Sequence, residues 1–155
     1  QYGHSLGVIA HLIYDEGLGR KLYGFDVWES GVSISGEAIP SVAWKDAFQA
    51  VNAALSASFL PVGQVLLVRG QFKDSLPETE TGGLALVHLD CDAYGSYKIC
   101  LTQLWPRLEL GGIMILDEYG TEKWAGATRA VDEFLTFRTD AELLHDAKFY
   151  IRKRC

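Results

Sequence analysis

The sequence predicts an α/β domain, a sheet of mostly parallel strands covered by helices. Three observations predict it. Along the whole chain, stretches with apolar residues at helical spacing alternate with short, nearly unbroken apolar runs. Three of those runs end in an acid, Asp26, Asp90 and Asp117, and ligands of α/β sheets bind beyond the carboxyl ends of the strands. The 155 residues, 48% apolar and 22% charged, suffice for one packed domain and are too few for two full ones.

The elements follow in order. Leu6, Ile9, Ala10 and Ile13 share one face of a helix from Ser5 to about Tyr14, closed by Gly17 and Gly19. Leu22–Asp26 reads as a short buried strand, and Val27 to Pro40 as a long loop. Ser41 caps a helix that places Trp44, Ala47, Phe48, Val51 and Leu55 on one face. Gln64–Gly70 and Leu84–Asp90 are the next strands. A helix carrying Tyr94, Tyr97, Leu101, Leu104 and Leu108 is expected to stop at Gly111-Gly112. Ile113–Asp117 is a strand buried on both faces. Ala127, Ala130, Val131, Phe134 and Leu135 stripe a last helix, and Lys148–Lys153 alternates like an edge strand. No repeat, low-complexity tract or interdomain linker interrupts this pattern.

Composition excludes several classes of function. Lys plus Arg number 14 against 20 Asp plus Glu, a net charge of −6. An acidic balance of this kind argues against a duplex-binding module, whose affinity comes from basic groups neutralising phosphates. Its apolar runs fall short of the roughly 20 residues that span a bilayer, so no membrane partner is expected. Three cysteines, Cys91, Cys100 and Cys155, show no Cys-x-x-Cys spacing, and Cys91 and Cys100 read as small buried hydrophobes in a reducing, cytoplasmic setting.

The strand-end acids carry the chemistry. Asp90 and Asp92 follow one strand, and Asp117 and Glu118 follow the next. Like charges gathered in one crevice repel unless a cation or protons compensate them. A hard divalent ion with oxygen ligands is the simplest compensation, and Mg²⁺ commonly takes carboxylates of this kind. A single such acid also serves as a helix cap; the four together favour the metal. Asp90 and Asp92, two apart, would face the same side if the strand continued through them. Asp26 ends an early strand, where an acid can accept hydrogen bonds from the ribose hydroxyls of a nucleoside cofactor; a loop aspartate with no ligand has the same signature in sequence. His88 reads as a core histidine, and Arg129 either pairs with an acid near the site or faces solvent.

Five segments bear a resemblance. Phe25-Asp26-Val27-Trp28-Glu29, Arg69-Gly70-Gln71-Phe72-Lys73-Asp74-Ser75-Leu76-Pro77 and His88-Leu89-Asp90-Cys91-Asp92-Ala93-Tyr94 resemble the macrocin O-methyltransferase family. So do the stretches Gly111–Gly120 and Gly126–Phe134. The resemblance runs in order over nearly the whole chain. It implies a Rossmann-like class I methyltransferase sheet with helices on both faces, S-adenosylmethionine and Mg²⁺ as cofactors, and methylation of a sugar hydroxyl.

Carried over by motif, Asp90, Asp117 and Glu118 fall on the metal ligands and Asp92 on the catalytic base. Asp26 falls on the ribose-binding acid, and Gly70, Gln71 and Phe72 on the loop beside the adenine. Gly3 and Ser5 match the tail of the cofactor glycine motif. Two departures stand out: Asp117-Glu118 replaces the family's usual Asp-Asp, and Phe-Asp-Val-Trp-Glu-Ser replaces Phe-Asp-Ser-Phe-Glu-Gly. The implied partner is a small glycoside or glycan acceptor, with a homo-oligomer left open. The strand that precedes the glycine motif in this fold is central to its sheet. Residues 1–155 are therefore expected to form a single methyltransferase-like catalytic domain that is N-terminally truncated, with at least a helix and a strand before it in the natural polypeptide. Competing readings are a non-catalytic domain kept for binding or assembly and a metal-dependent phosphohydrolase. The second needs a Lys or hydroxyl near the acids, for which Lys98, inside a helix, is poorly placed.

Overall fold

A computed structural model describes residues 4–27, 47–56 and 63–155. The chain divides into two compact units, and among the described residues the first ends at Ser75 and the second starts at Leu76. The expected loop beyond Val27, the cap Ser41, Trp44 and Gly3 lie outside the described residues.

The first unit begins with α1 (His4–Glu16), followed by β1 (Leu22–Asp26), α2 (Ala47–Ser56) and β2 (Val65–Arg69). β1 and β2 pair in parallel, from Leu22 opposite Val65 to Asp26 opposite Arg69. Helix α1 packs on β1, and a Cβ on Gly24 would lie 3.1 Å from methyls of both Leu6 and Leu67. The absent side chain at Gly24 is what lets the helix lie this close to the strand. α3 (Phe72–Glu78), a short helix with Pro77 near its end, follows β2. The sequence reading had no element there.

The second unit holds β3 (Leu84–Leu89), α4 (Tyr94–Leu104), β4 (Leu108–Leu116), α5 (Ala125–Leu135), β5 (Ala141–His145) and β6 (Phe149–Lys153). Its sheet runs in the order β3-β4-β6-β5. β3 and β4 are parallel, whereas β6 is antiparallel to both β4 and β5. α4 packs on β3 and on α5. The core of this unit is built from Leu101, Trp105, Met114, Leu116, Val131 and Ile151, all essentially without solvent contact. Among the described residues no helix is long and apolar enough to cross a membrane.

Three expectations are corrected. Helix α4 ends at Leu104 rather than Leu108: Trp105–Arg107 form a 3₁₀ turn containing Pro106, which offers no N–H to continue the helix. Gly111-Gly112 therefore stop no helix. They lie inside β4, where Gly111 takes a φ of +79° and the partner register jumps from Leu84–Leu108 to Leu86–Ile113. That is a bulge, and glycine suits its backbone. Finally, β6 is an interior strand and the unforeseen β5 forms the edge.

Candidate functional site

The second unit gathers the acids. Asp90 follows β3 and Asp117 and Glu118 follow β4, and the parallel register of these strands sets their ends side by side. The Asp117 N–H donates to Leu89 O at 3.0 Å, which carries the pairing one residue past the strand end. One carboxylate oxygen from each of Asp90, Asp117 and Glu118 lies within 4.8 Å of the others. Asp90 is exposed, Asp117 half-buried and Glu118 buried, so the group grades from solvent inward.

The electrostatics match a cluster with excess negative charge. Burial, reinforced by the charges of Asp90 and Asp92, pushes Glu118 up to about 7 against a hydrogen bond from Tyr97 that favours its ionised form. Burial would also raise Asp117, but the hydrogen bond and charge of Lys148, joined by His88, hold it below the usual carboxylate range. Lys148 Nζ stands 2.8 Å and His88 Nε2 3.6 Å from Asp117 Oδ1.

Asp92 lies beside this trio without being one of its members. The strand does not continue through it as the spacing argument assumed. Instead Asp92 has a φ of +58°, and the Ala93 N–H donates to Cys91 O at 2.6 Å, a tight turn centred on Asp92. Aspartate tolerates this left-handed conformation better than most residues. Burial raises the Asp92 carboxyl, and the charges of Asp90 and Asp117 add to it while Lys123 opposes.

Tyr97 is the site residue that sequence reading missed. Periodicity assigned it to the core, and it is 0% exposed, yet its hydroxyl donates to Glu118 Oε2 at 2.6 Å. The available signal is general: a buried tyrosine hydroxyl needs a partner. Lys148 was likewise unforeseen at the site. Arg129 sides with solvent, pairing with Glu133 at 3.6 Å and lying 4.1 Å from the Tyr94 ring centroid. Lys98 joins the same exposed group, donating to the Tyr94 hydroxyl at 3.1 Å. All three cysteines are free.

The first unit holds the expected nucleoside residues that are described. Asp26 ends β1, and its carbonyl accepts the Gly70 N–H at 3.1 Å, so the two strand ends are joined. Gly70 has a φ of +143°, a conformation open to glycine, and turns the chain into α3. The Gln71 carbonyl accepts from both the N–H and the hydroxyl of Ser75, leaving the exposed Gln71 side chain outside that turn. Phe72 opens α3, and Ser5 is exposed in the first turn of α1.

Three carboxylates converging on one point are the donor set that suits Mg²⁺, a hard ion that binds through oxygen. The residues present fit that ion.

Comparison with known proteins accords with this geometry. The sequence profile of macrocin-O-methyltransferase (TylF) matches residues 37–147. The chain is 46% identical over 59 residues to 8-demethyl-8-(2,3-dimethoxy-α-L-rhamnosyl)-tetracenomycin-C 4'-O-methyltransferase of Streptomyces olivaceus, a match covering 38% of this chain and 23% of that protein. It is 41% identical over 56 residues to mycinamicin III 3''-O-methyltransferase of Micromonospora griseorubida, covering 36% of this chain and 22% of that one. Its fold is similar to the structure of the O-methyltransferase NovP, with a TM-score of 0.73 and 27% identity over 92% of this chain and 63% of the other. The matched stretches thus span under a quarter of the two curated relatives.

Proposed function

As this chain belongs to the macrocin O-methyltransferase family, we propose that its protein transfers a methyl group from S-adenosylmethionine to a hydroxyl of a sugar on a glycosylated small molecule, with Mg²⁺ and with Asp92 as general base. The observation that carries this reading is the convergence of Asp90, Asp117 and Glu118 within 4.8 Å at the carboxyl ends of two adjacent parallel strands. The curated relative named for a rhamnosyl tetracenomycin supports the acceptor class.

The residues divide the work. A sugar hydroxyl is a weak nucleophile at neutral pH, so its proton must leave as the oxygen attacks the methyl carbon. The Asp92 carboxylate takes that proton, and burial and its acidic neighbours raise its affinity for it. Asp90, Asp117 and Glu118 would hold the cation. When bound, Mg²⁺ supplies positive charge against the developing alkoxide. Lys148 and His88 keep Asp117 ionised and oriented. In the first unit, Asp26 receives the ribose hydroxyls, Gly70, Gln71 and Phe72 border the adenine, and Gly3 and Ser5 belong to the cofactor's glycine turn.

The test is direct. The full-length protein is incubated with S-adenosylmethionine and a panel of glycosides, with Mg²⁺ or with chelator, and the products are weighed by mass spectrometry. One added methyl on a sugar, lost in chelator, supports the proposal. Calorimetry that detects no S-adenosylhomocysteine binding would overturn it.

A further inference from the structure

We infer that Tyr97 is a positioning residue of the acid cluster, its hydroxyl setting the Glu118 carboxylate so that Asp90, Asp117 and Glu118 form one cation-binding group. This inference rests on the metal reading above and adds to it a residue that neither the motif nor the spacing of acids points to.

The geometry is specific. Tyr97 stands at the start of α4, where its N–H donates to Ala93 O at 3.0 Å, just past the turn centred on Asp92. From there its ring passes through the core and its hydroxyl reaches Glu118 Oε2 at 2.6 Å. Both partners are shielded from solvent, Tyr97 at 0% and Glu118 at 4% exposure. Water is therefore poorly placed to replace the bond.

The other neighbours of the hydroxyl do not explain it. Leu89 O lies 3.3 Å away, and the hydroxyl has a single proton, which the 2.6 Å contact to Glu118 claims first. The Glu118 N–H reaches the tyrosine oxygen only at 3.4 Å. The short contact is to the Glu118 side chain, so removing the hydroxyl chiefly frees that carboxylate to rotate. Glu118 is also the position where this chain departs from the aspartate expected by resemblance. An aspartate would draw the carboxylate back by roughly one C–C bond, about 1.5 Å, out of reach of the hydroxyl. Glu118 and Tyr97 thus work as a pair.

The experiment measures Mn²⁺ binding by electron paramagnetic resonance in the full-length protein and in Tyr97→Phe, Glu118→Asp and the double variant, with circular dichroism and thermal midpoints alongside. Loss of a group that orients a metal ligand typically weakens metal affinity about 10–100-fold, and Tyr97→Phe is expected in that range. Because both single changes break the same bond, the double variant should bind no more weakly than Glu118→Asp. Wild-type affinity in a folded Tyr97→Phe, with only the thermal midpoint lowered, would overturn the inference and leave the metal reading standing. Losses that multiply in the double variant would overturn it as well. If Tyr97→Phe fails to fold, Tyr97→Met, which also removes the hydroxyl, decides by the same readout: weakened binding supports the inference, and wild-type affinity overturns it. Wild-type protein that takes up no Mn²⁺ would overturn the metal reading and this inference together.

Discussion

The indole N–H of Trp105 donates to Asp140 Oδ2 at 3.0 Å and ties the turn after α4 to the residue before β5. Around it, Phe134 meets the Trp105 ring edge-on at 5.3 Å, and Lys153 Nζ donates to Trp105 O and Leu108 O at 3.0 and 2.7 Å. This hydrogen bond, aided by Arg138, lowers the Asp140 carboxyl below its ordinary value.

A carboxyl lowered by folding adds stability above its unfolded pKa and loses it as pH falls through the folded one. Asp140→Asn is therefore expected to lower the thermal midpoint at pH 7. The gap between variant and wild type should close as pH drops through and below the ordinary aspartate value of about 3.9. Thermal melts across pH check this, and a gap that widens in acid would contradict it.

Asp92→Asn keeps the size of the side chain and removes its basicity. Turnover is expected to fall by about 10²–10⁴, while Mn²⁺ affinity stays near that of wild type, since Asp92 is outside the trio. Steady-state kinetics paired with a metal titration make the check. Unchanged turnover would assign the proton to another group.

Asp117→Ala removes a carboxylate from the trio and leaves Lys148 and His88 without their partner. Mg²⁺ at 100 times its dissociation constant should stabilise wild-type protein by about 2.7 kcal/mol, seen as a higher thermal midpoint. Chelator should reverse the gain. In Asp117→Ala and Asp90→Ala the gain should vanish, as read by scanning calorimetry.

Gly126 opens the close approach of α5 to the start of α4, because a Cβ there would lie 3.2 Å from Tyr94 Cβ and 3.4 Å from Tyr94 N. Gly126→Val should cost about 1–3 kcal/mol by overpacking, and Gly126→Ala less. Urea midpoints give the comparison.

How much of this was legible in the sequence depends on where each cause lies. The largely apolar runs of β3 and β4 and the acids behind them are local facts, and the strand ends they mark do lie together in the structure. The end of α4 was misread because Leu108 continues the four-residue spacing from Leu104, and that pattern outweighed Pro106. β5, Ala-Glu-Leu-Leu-His, has too weak an alternation to declare itself. β6 alternates like an edge strand, yet Arg152 is exposed while Ile151 is buried in the middle of a sheet. Alternation reports which face is buried and not how many neighbours a strand has. Tyr97 and Lys148 escaped for the same reason: their partners, Glu118 and Asp117, are distant in sequence and meet them only through the fold.

The position of β6 bears on how the protein is made. β6 leaves the ribosome after β3, β4 and β5, yet it lies between β4 and β5. Until Lys153 has been translated, β5 has no strand to join, and the Ile113–Leu116 edge of β4 stays open to other nascent chains. The sheet of the second unit is therefore complete only once β6 has left the ribosome, whatever has folded before it.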